Sequence, residues 1–381
     1  MKKILFSFLI LFITHTAFAA PDHYSIYIDA GSSGSRLHIL KFQLPTGYPI
    51  IETVYTEKTS HALSDYANNP EKAANSLKIL LNHAERYIVE RNAKVQYTDI
   101  NVLGTGGMRA LSDKKQKAIY SSIKNYIKNN YHFSVGDIKT ISGKMEGVYG
   151  WLDINYLLGN FKNHQPTVGS IDMGGASTQI TFATNNNSKP EDIIEFEISD
   201  DHYHIFSKGL DGLGQDLMRK KMKTYSSAAN CFPQNFYFGE NSMGTFDFNS
   251  CATIYSGMIQ NENIASKIIP VTGQSFIAYS GVYHTFTFFN ADKNTEQAFF
   301  ESSIKQVCSQ TWQELQLNYP NISKKYLSGF CANGIYQDQL IYNTYQIKAS
   351  QLSVANQIND EEINWTLGAL LFGLQQKVTI N

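Results

Sequence analysis

The sequence lacks an excess of charge of either sign. Its 32 lysine and arginine residues are balanced by 33 aspartate and glutamate residues, which gives a formal net charge of −1 over 381 residues. A protein that binds nucleic acid through a broad basic surface needs a positive excess, so the composition argues against nucleic acid as a partner. The chain also has no pair of cysteines spaced as Cys-x-x-Cys, which argues against a zinc site.

Apolar runs long enough to cross a membrane are missing as well. The run at residues 4–13 is too short for a bilayer span. It follows Lys2 and Lys3 and precedes the small-x-small pattern at residues 17–19, so it predicts a signal peptide over residues 1–19. Cleavage before Ala20 removes both lysines and takes the formal charge from −1 to −3. An uncleaved anchor is the alternative; with cleavage, we expect an exported protein, periplasmic or secreted, with no membrane span.

Cysteine is scarce: the sequence contains only four cysteines, an even number, and they are widely spaced. In an oxidising compartment they predict two disulfides. Pairing between neighbours, Cys231 with Cys251 and Cys308 with Cys331, closes two loops of similar length. Each bond would stabilise the fold by about 3 kcal/mol. Spacing alone leaves three connectivities open.

Small polar residues are concentrated at residues 27–39, YIDAGSSGSRLHI, between two apolar runs. A hairpin loop is the plain interpretation, but eight loop residues exceed what a tight hairpin needs. Glycines allow backbone N–H groups to approach an anion, and serines add hydroxyl donors. Asp29 would repel a bare phosphate, so it implies a divalent cation between the two. The alternatives are therefore a plain loop and a phosphate site with a cation.

The same pattern recurs at residues 170–182, where an apolar strand end again leads into Asp172, a Gly-Gly-Ala-Ser turn and a second alternating strand. Such a repeat predicts two similar lobes, each with a phosphate-binding hairpin. Two hairpins that face each other across a cleft could hold a polyphosphate from both sides. Asp29 and Asp172 would then share one cation.

Two further segments lie between the repeats. Residues 100–103 predict a short buried strand that ends in a glycine turn, residues 104–109, and a helix over residues 113–130. Residues 148–158 predict a buried helix, and Glu146 precedes it. A carboxylate there is favoured by the helix dipole, so Glu146 has either this structural role or that of a general base.

Together these motifs resemble the apyrase-conserved regions of the nucleoside triphosphate diphosphohydrolase (NTPDase, ecto-apyrase) family. The lack of terminal membrane spans resembles the soluble, secreted bacterial members of that family. DAGSSGSR, GTGGMR, GKMEGVYGWLDINYLLG and DMGGASTQITF resemble the first four regions in order. NWTLG near the C-terminus resembles the fifth, and residues 326–336 resemble the segment before it. The resemblance runs from about residue 27 to the end of the chain. It implies an α/β protein of the actin-like superfamily, with two ribonuclease H-like lobes and an active-site cleft between them.

The resemblance also implies catalytic and metal-binding roles. Glu146 corresponds to the general base that activates water, and Ser177 and Gln179 correspond to the residues that position this water. Asp29 and Asp172 correspond to the acids that hold Mg²⁺ or Ca²⁺, largely through bound waters. Two more residues correspond to groups around that hydration shell: Thr105 and Trp365.

Phosphate and base binding follow by the same correspondence. The predicted phosphate-binding residues are Ser32, Ser33, Gly34, Ser35, Arg36, Thr105, Gly174, Gly175 and Ala176. The family varies at the position of Gly34, and glycine offers no side-chain contact there. Tyr336 corresponds to an aromatic that stacks on the nucleobase, and Tyr283 is our candidate for the opposite wall, with core packing as its alternative. Stacking accepts any base, so broad nucleotide use is expected.

The resulting expectation is a monomeric apyrase that converts nucleoside tri- and diphosphates to monophosphate and phosphate. We expect the first lobe to comprise residues 20–145 and 365–381, with a helix over 366–375. The second lobe, residues 146–364, would hold the base site and both disulfides. A kinase of the superfamily would need an ATP supply that an exported protein lacks. An exopolyphosphatase of the superfamily and a non-hydrolysing nucleotide-binding protein are the remaining alternatives. An exopolyphosphatase lacks the Trp-Thr-Leu-Gly ending. A non-hydrolysing binding protein would not need Glu146, Ser177 and Gln179 together.

Overall fold

The computed structural model of the chain describes residues 21–45, 48–240, 242–271, 273–291 and 295–378. Two mixed β-sheets organise this part of the molecule, and helices cover them. The predicted signal peptide and its cleavage site lie outside the described residues.

The first sheet is built by the first part of the chain. Its strands are β1 (His23–Gly31), β2 (Gly34–Gln43), β3 (Ile50–Thr59), β4 (Asp99–Gly104) and β5 (Ser134–Thr140). The order across the sheet is β3-β2-β1-β4-β5. β1, β2 and β3 pair antiparallel, whereas β4 is parallel to β1 and β5 is parallel to β4. The parallel strands require crossover connections, which the helices of this region supply.

The remaining strands are β6 (Gly169–Met173), β7 (Ser177–Ala183), β8 (Ile193–Ile198), β9 (Asp201–Asp211), β10 (Tyr237–Gly239), β11 (Ser242–Met243), β12 (Phe276–Ser280), β13 (Leu352–Val354), β14 (Gln357–Ile358) and β15 (Glu361–Glu362). The second sheet has the order β13-β12-β6-β7-β9-β8, and β10–β11 and β14–β15 form separate hairpins. Within the second sheet, the order β9-β7-β6-β12-β13 corresponds to the order β3-β2-β1-β4-β5 of the first sheet. Corresponding neighbours have the same relative direction, and β8 is an additional strand at the edge. This repetition agrees with the two-lobed fold that the doubled motif predicts.

The helices of the first region are α1 (Pro70–Ser76), α2 (Lys78–Glu90), α3 (Gly106–Arg109) and α4 (Asp113–Asn130). The bounds of α4 confirm the predicted helix over residues 113–130. Ile119, Ile123 and Ile127 are four residues apart, lie on one face of α4 and are buried in the core of the first sheet. The other face of α4 carries exposed lysines.

The later helices are α5 (Gly143–Leu157), α6 (Gln215–Met222), α7 (Phe248–Asn261), α8 (Ile264–Lys267), α9 (Gly281–Phe288), α10 (Gln297–Cys308), α11 (Trp312–Asn318), α12 (Lys324–Leu327), α13 (Phe330–Asp338) and α14 (Trp365–Val378). α5 starts earlier than the predicted residue 148, because the Ser142 hydroxyl accepts a hydrogen bond from the Met145 N–H at 3.2 Å and caps the helix. Glu146 therefore lies within its first turn.

Helices α5 and α14 lie between the two sheets. A hydrophobic cluster there combines Tyr27 and Leu103 of the first sheet with Phe196 of the second and with side chains of both helices. Gly368 allows α14 to approach α5 closely, since a methyl group at this position would overlap the Tyr149 carbonyl oxygen. α14 also touches β1, β3 and β8, so its assignment to the first lobe stays a prediction.

Both disulfides join cysteines that are neighbours in the sequence. Cys231 pairs with Cys251 and Cys308 with Cys331, at Cα–Cα distances of 5.0 and 5.8 Å, which confirms the predicted pairing. All four cysteines belong to the core of the second sheet. Within the described residues, every helix is too short or too polar to cross a membrane.

Candidate active site

The predicted phosphate hairpin at residues 27–39 is tighter than the sequence suggested. β1 and β2 pair as far as Gly31 and Gly34, so the turn contains only Ser32 and Ser33. The expectation of a long loop was wrong, because most of the small residues of the motif are strand residues. Their lack of bulk allows close approach of other loops rather than a wide turn.

The two hairpins place their acids at equivalent positions. Asp29 is paired with Arg36 across β1 and β2, and Asp172 is paired with Gln179 across β6 and β7. Each acid therefore faces the residue seven positions further along its own hairpin. Arg36 Nη1 lies 3.4 Å from Asp29 Oδ2.

Asp29 and Asp172 fit a divalent cation. Both are buried, and the Oδ1 atom of each has no hydrogen-bond partner among the described residues. Burial raises the pKa of Asp29 to about 6, Arg36 opposes this effect, and the charge of Asp172 adds to it. Burial also raises the pKa of Asp172, and the nearby Ser280 and Tyr279 side chains and the charge of Arg36 oppose this effect. Two nearby carboxylates, each with an oxygen that no protein donor satisfies, form an environment that a hard cation stabilises.

Three turns approach one another closely at glycine residues: the turns of the two hairpins and the turn between β4 and α3. A methyl group on Gly106 would lie 2.7 Å from Ser177 Oγ, and one on Gly107 would lie 2.9 Å from Ser32 Cα. A methyl group on Gly175 would lie 3.0 Å from Ser32 Oγ. The β4–α3 turn therefore contacts both hairpins, and the two predicted phosphate loops face each other.

The predicted phosphate residues divide into exposed and buried groups. Ser32 is half-buried and Ser33 is exposed at the hairpin tip, and in the second hairpin Gly174 and Gly175 are partly exposed while Ala176 is nearly buried. Among the described residues, nothing accepts a hydrogen bond from the N–H groups of Ser32, Ser33, Gly175 or Ala176. Free N–H groups on two facing turns suit an anion. Ser35 is instead fully buried, and its hydroxyl donates to the His61 carbonyl at 3.4 Å.

Glu146 is buried at the start of α5 and bound on one oxygen. Its Oε2 accepts from Arg109 Nη2 at 2.9 Å and from Gln179 Nε2 at 3.0 Å. Burial raises the pKa of Glu146 to about 8; the Arg109 charge opposes this, and the charges of Asp172 and Asp29 add to it. Its other oxygen, Oε1, makes no hydrogen bond to the described protein.

Ser177 and Gln179 extend this network. Ser177 Oγ accepts from Arg109 Nη2 at 2.9 Å and from Gln179 Nε2 at 3.1 Å. Both lone pairs of the hydroxyl are thus used, and its hydrogen is left to donate. Gln179 uses its amide nitrogen on Glu146 and Ser177, which leaves its Oε1 as a free acceptor.

Thr105 and Trp365 lie at different depths. Thr105 is buried at the end of β4, and its hydroxyl and N–H both point at the Ala30 carbonyl, at 3.5 and 3.2 Å. Trp365 is 6% exposed at the start of α14, with its ring stacked on Tyr149 at 6.3 Å between centroids. Its predicted contact with a metal hydration shell stays a prediction.

The predicted nucleobase residues are not equally accessible. Tyr336 is fully buried in the core of the second sheet, where its hydroxyl donates to the Leu213 carbonyl at 2.6 Å and its ring contacts Tyr255. In this conformation its ring offers no surface to a base, because the ring is enclosed in the core of the second sheet and lies against α7. Tyr283 is half-buried on α9 beside the exposed His284. Of the two, only Tyr283 is reachable without movement of its surroundings.

Comparison with known proteins identifies the family. The sequence profile of the GDA1/CD39 (nucleoside phosphatase) family matches residues 15–252 and 260–379. The chain belongs to this family. It is 28% identical to probable apyrase 3 of Arabidopsis thaliana, over 91% of this chain and 82% of the relative. It is 27% identical to ectonucleoside triphosphate diphosphohydrolase 1 of Mus musculus, over 91% of this chain and 80% of the relative.

Solved structures support the same fold for this nucleoside phosphatase. A nucleoside triphosphate hydrolase from Neospora caninum superposes with a TM-score of 0.68 at 15% identity, over 94% of each chain. A Ppx/GppA protein from Aquifex aeolicus superposes with a TM-score of 0.56 at 14% identity, over 94% of this chain and 99% of that one. The predicted two-lobed α/β fold is confirmed, and so are the family and the enzyme class inferred from the motifs.

Sequence reasoning gave no role to Arg109, although it ends the GTGGMR motif. In the structure its guanidinium contacts Glu146, Ser177, Asp211 and the Ile141 carbonyl. Its charge was the available signal. A buried arginine needs an acidic partner, and this arginine follows a glycine turn in a nucleoside phosphatase with three predicted carboxylates in the cleft.

Proposed function

We propose that this nucleoside phosphatase is an exported apyrase. It hydrolyses the terminal phosphates of nucleoside tri- and diphosphates and releases nucleoside monophosphate and phosphate. The observation that carries the proposal is the bridge made by Gln179 Nε2, which binds Glu146 Oε2 and Ser177 Oγ together. This bridge leaves an acceptor on Glu146, an acceptor on Gln179 and a donor on Ser177, which is the set of groups that can hold one water molecule.

In this proposal Glu146 is the general base. A water whose hydrogens are accepted by Glu146 Oε1 and Gln179 Oε1 has its oxygen turned towards the terminal phosphorus. Glu146 takes up the proton as the oxygen attacks. Burial raises the pKa of Glu146, which makes its ionised carboxylate a stronger base than an exposed one, and general-base catalysis contributes about 10²- to 10⁴-fold to a rate.

The cation proposed here is Mg²⁺ or Ca²⁺. Asp29 and Asp172 would hold it largely through water, with Thr105 and Trp365 near its hydration shell, because no group of three or more acidic, histidine or cysteine side chains suited to a metal occurs among the described residues. Few protein ligands and several waters are typical of Mg²⁺ bound with a phosphate chain. When bound, such a cation neutralises developing phosphate charge.

The two hairpins are the proposed phosphate clamp. The free N–H groups of Ser32, Ser33, Gly175 and Ala176, together with the hydroxyls of Ser32 and Ser33, would bind non-bridging oxygens from opposite sides. Arg36 is partly exposed beside Asp29 and is available to the same oxygens. Phosphoryl transfer requires mainly this positioning and charge stabilisation.

The proposed base site is formed by Tyr283, and by Tyr336 if its surroundings open. An aromatic wall favours any nucleobase, so we propose activity on several nucleotides. The names of the relatives, apyrase and nucleoside triphosphate diphosphohydrolase, support substrates of both phosphate lengths.

The exported location is proposed from three features. The N-terminal sequence has the pattern of a signal peptide, both disulfides are formed, and the described helices cannot cross a membrane. We further propose that residues 20–145 with 365–381, and residues 146–364, are the two lobes of a monomer.

Phosphate release by the chain from Ala20 onward tests the function. Substrates are ATP, ADP, AMP and long-chain polyphosphate, each with Mg²⁺ or Ca²⁺ and with EDTA. Cation-dependent release from ATP and ADP, but not from AMP, is expected. The resemblance to a Ppx/GppA protein makes exopolyphosphatase the second candidate, and release from polyphosphate alone would replace the proposal with it. Nucleotide binding without release would mean a non-hydrolysing protein.

A further inference from the structure

Asp211 lies beside the proposed catalytic network without reaching its reacting groups. It is the last residue of β9 and is paired with Ser177 of β7 in the sheet register. Its side chain is 58% exposed, and its Oδ1 accepts from Arg109 Nε at 2.7 Å. Its route to the reaction therefore passes through Arg109.

Arg109 uses its planar guanidinium to join several elements. Nε binds Asp211, Nη1 binds the Ile141 carbonyl at 3.0 Å, and Nη2 lies 2.9 Å from both Ser177 Oγ and Glu146 Oε2. Arg109 belongs to α3, which follows β4 of the first sheet, whereas Ser177 and Asp211 belong to the second sheet. The guanidinium therefore joins groups from both sheets.

The planar geometry of the guanidinium group allows the Asp211 contact to determine the orientation of Arg109. Nε and Nη2 lie on one edge of a rigid plane, so a partner fixed at Nε also fixes the direction of Nη2. In the observed orientation Nη2 is shared between Ser177 and one oxygen of Glu146. This sharing leaves Glu146 Oε1 without a protein donor.

We propose that Asp211 is a positioning residue that holds Arg109 in this shared orientation. The inference rests on the proposed function, since it assigns Oε1 to the attacking water. Without the Asp211 carboxylate, the Nε–Nη2 edge can turn onto Glu146 and bind both of its oxygens, which is the pairing that arginine favours with a carboxylate. Oε1 would then be occupied, and Ser177 would lose a donor.

The test compares Asp211→Asn, Asp211→Glu and a control. Asp201→Asn is the matched control, because Asp201 is the first residue of the same strand, is partly exposed and forms an ion pair with His164 at 2.8 Å at the other end. Values of kcat and KM for ATP are measured with Mg²⁺, and crystal structures of the wild type and Asp211→Asn are solved.

Asp211→Asn is expected to lower kcat by about 10- to 100-fold, as misplaced catalytic groups do, with KM changed less than about threefold. Asp211→Glu should recover most of the rate, and Asp201→Asn should match the wild type. In the Asp211→Asn crystal, Nη2 should leave Ser177. Unchanged kcat, a fall in kcat with both Nη2 contacts kept, or no recovery in Asp211→Glu would overturn the inference.

The kinetic and crystallographic readouts separate this inference from the proposed function. If the wild type hydrolyses no nucleotide, the proposed function fails, and the crystals alone decide the role of Asp211. Arg109 in its wild-type orientation in Asp211→Asn would then reject positioning by Asp211. If the wild type is active and Asp211→Asn is equally active, the function stands and the positioning role is wrong.

Discussion

Asp29 and Asp172 each keep one buried oxygen that no described protein group binds. Burial and mutual repulsion raise the pKa of Asp29 to about 6, so the cation-free protein holds two acids that resist ionisation together. Such an arrangement is costly for the folded chain alone, and the proposed cation would offset this cost.

At this scale we predict that cation binding depends on pH. Because the pKa of Asp29 is raised above its unfolded value of 3.8, ionisation of Asp29 destabilises the cation-free protein as pH rises through about 6. Mg²⁺ needs the ionised form, so it should raise Tm more at pH 8 than at pH 5. Thermal unfolding with and without Mg²⁺ measures this difference. Asp29→Asn should abolish it and Asp201→Asn should not; equal Mg²⁺ effects at both pH values would contradict the prediction.

Single residues also show what the sequence could and could not predict. Asp29, Glu146, Asp172 and Gln179 stand in motifs whose chemistry is local, and the structure brings their side chains to one region. Arg109 was missed because its partners come from β7, β9 and α5, and pairing across elements is not visible in one sequence. Tyr336 shows the opposite case, since an aromatic in a motif can equally be a core residue.

At the scale of elements, close approach of turns assembles the site. The β4–α3 turn carries Gly106 against Ser177 and Gly107 against Ser32, so it fits between the two hairpins only without side chains. The sequence predicted these turns as glycine-rich strand ends. It did not predict the two-residue length of the first turn, since strand pairing that continues through glycine and serine goes against their low strand preference.

We predict that Gly106→Ala lowers activity without unfolding the protein. The added methyl group would lie 2.7 Å from Ser177 Oγ and must displace either Ser177 or α3. Because Ser177 is a proposed catalytic residue, a displacement of this size is expected to lower kcat by about 10-fold or more.

Gly257→Ala is the control for this change, because Gly257 lies in α7 and has no atom within 4 Å of an added methyl group. It should keep wild-type activity and raise the free energy of unfolding by about 0.5–1 kcal/mol. Steady-state kinetics and urea unfolding of both variants provide the comparison. Full activity in Gly106→Ala would show that the turn tolerates the displacement.

At the scale of the whole molecule, the repeated motif predicted the repeated sheet. The order β3-β2-β1-β4-β5 recurs as β9-β7-β6-β12-β13, with the acids at the same place in each. The position of α14 between the sheets was not readable from the sequence, because its apolar residues bury equally well against either lobe. Both disulfides lie in the core of the second sheet, which contains all four cysteines.

We therefore predict unequal dependence on disulfides. Replacing Cys231 and Cys251 together, or Cys308 and Cys331 together, by alanine opens loops of 20 and 23 residues and should lower the free energy of unfolding by about 3 kcal/mol in each case. Urea unfolding followed by circular dichroism measures the loss. The rate of amide hydrogen exchange should increase in the second sheet and not in β1–β5. An equal increase in both sheets would contradict this prediction.

The most direct test of the central claim is the turnover of ATP by Glu146→Gln. The amide keeps the size of the side chain but cannot accept the proton, so kcat should fall by about 10²- to 10⁴-fold while KM stays within a few-fold of the wild-type value. Retention of more than a tenth of the wild-type kcat at saturating ATP and Mg²⁺ would contradict Glu146 as the general base of this nucleoside phosphatase.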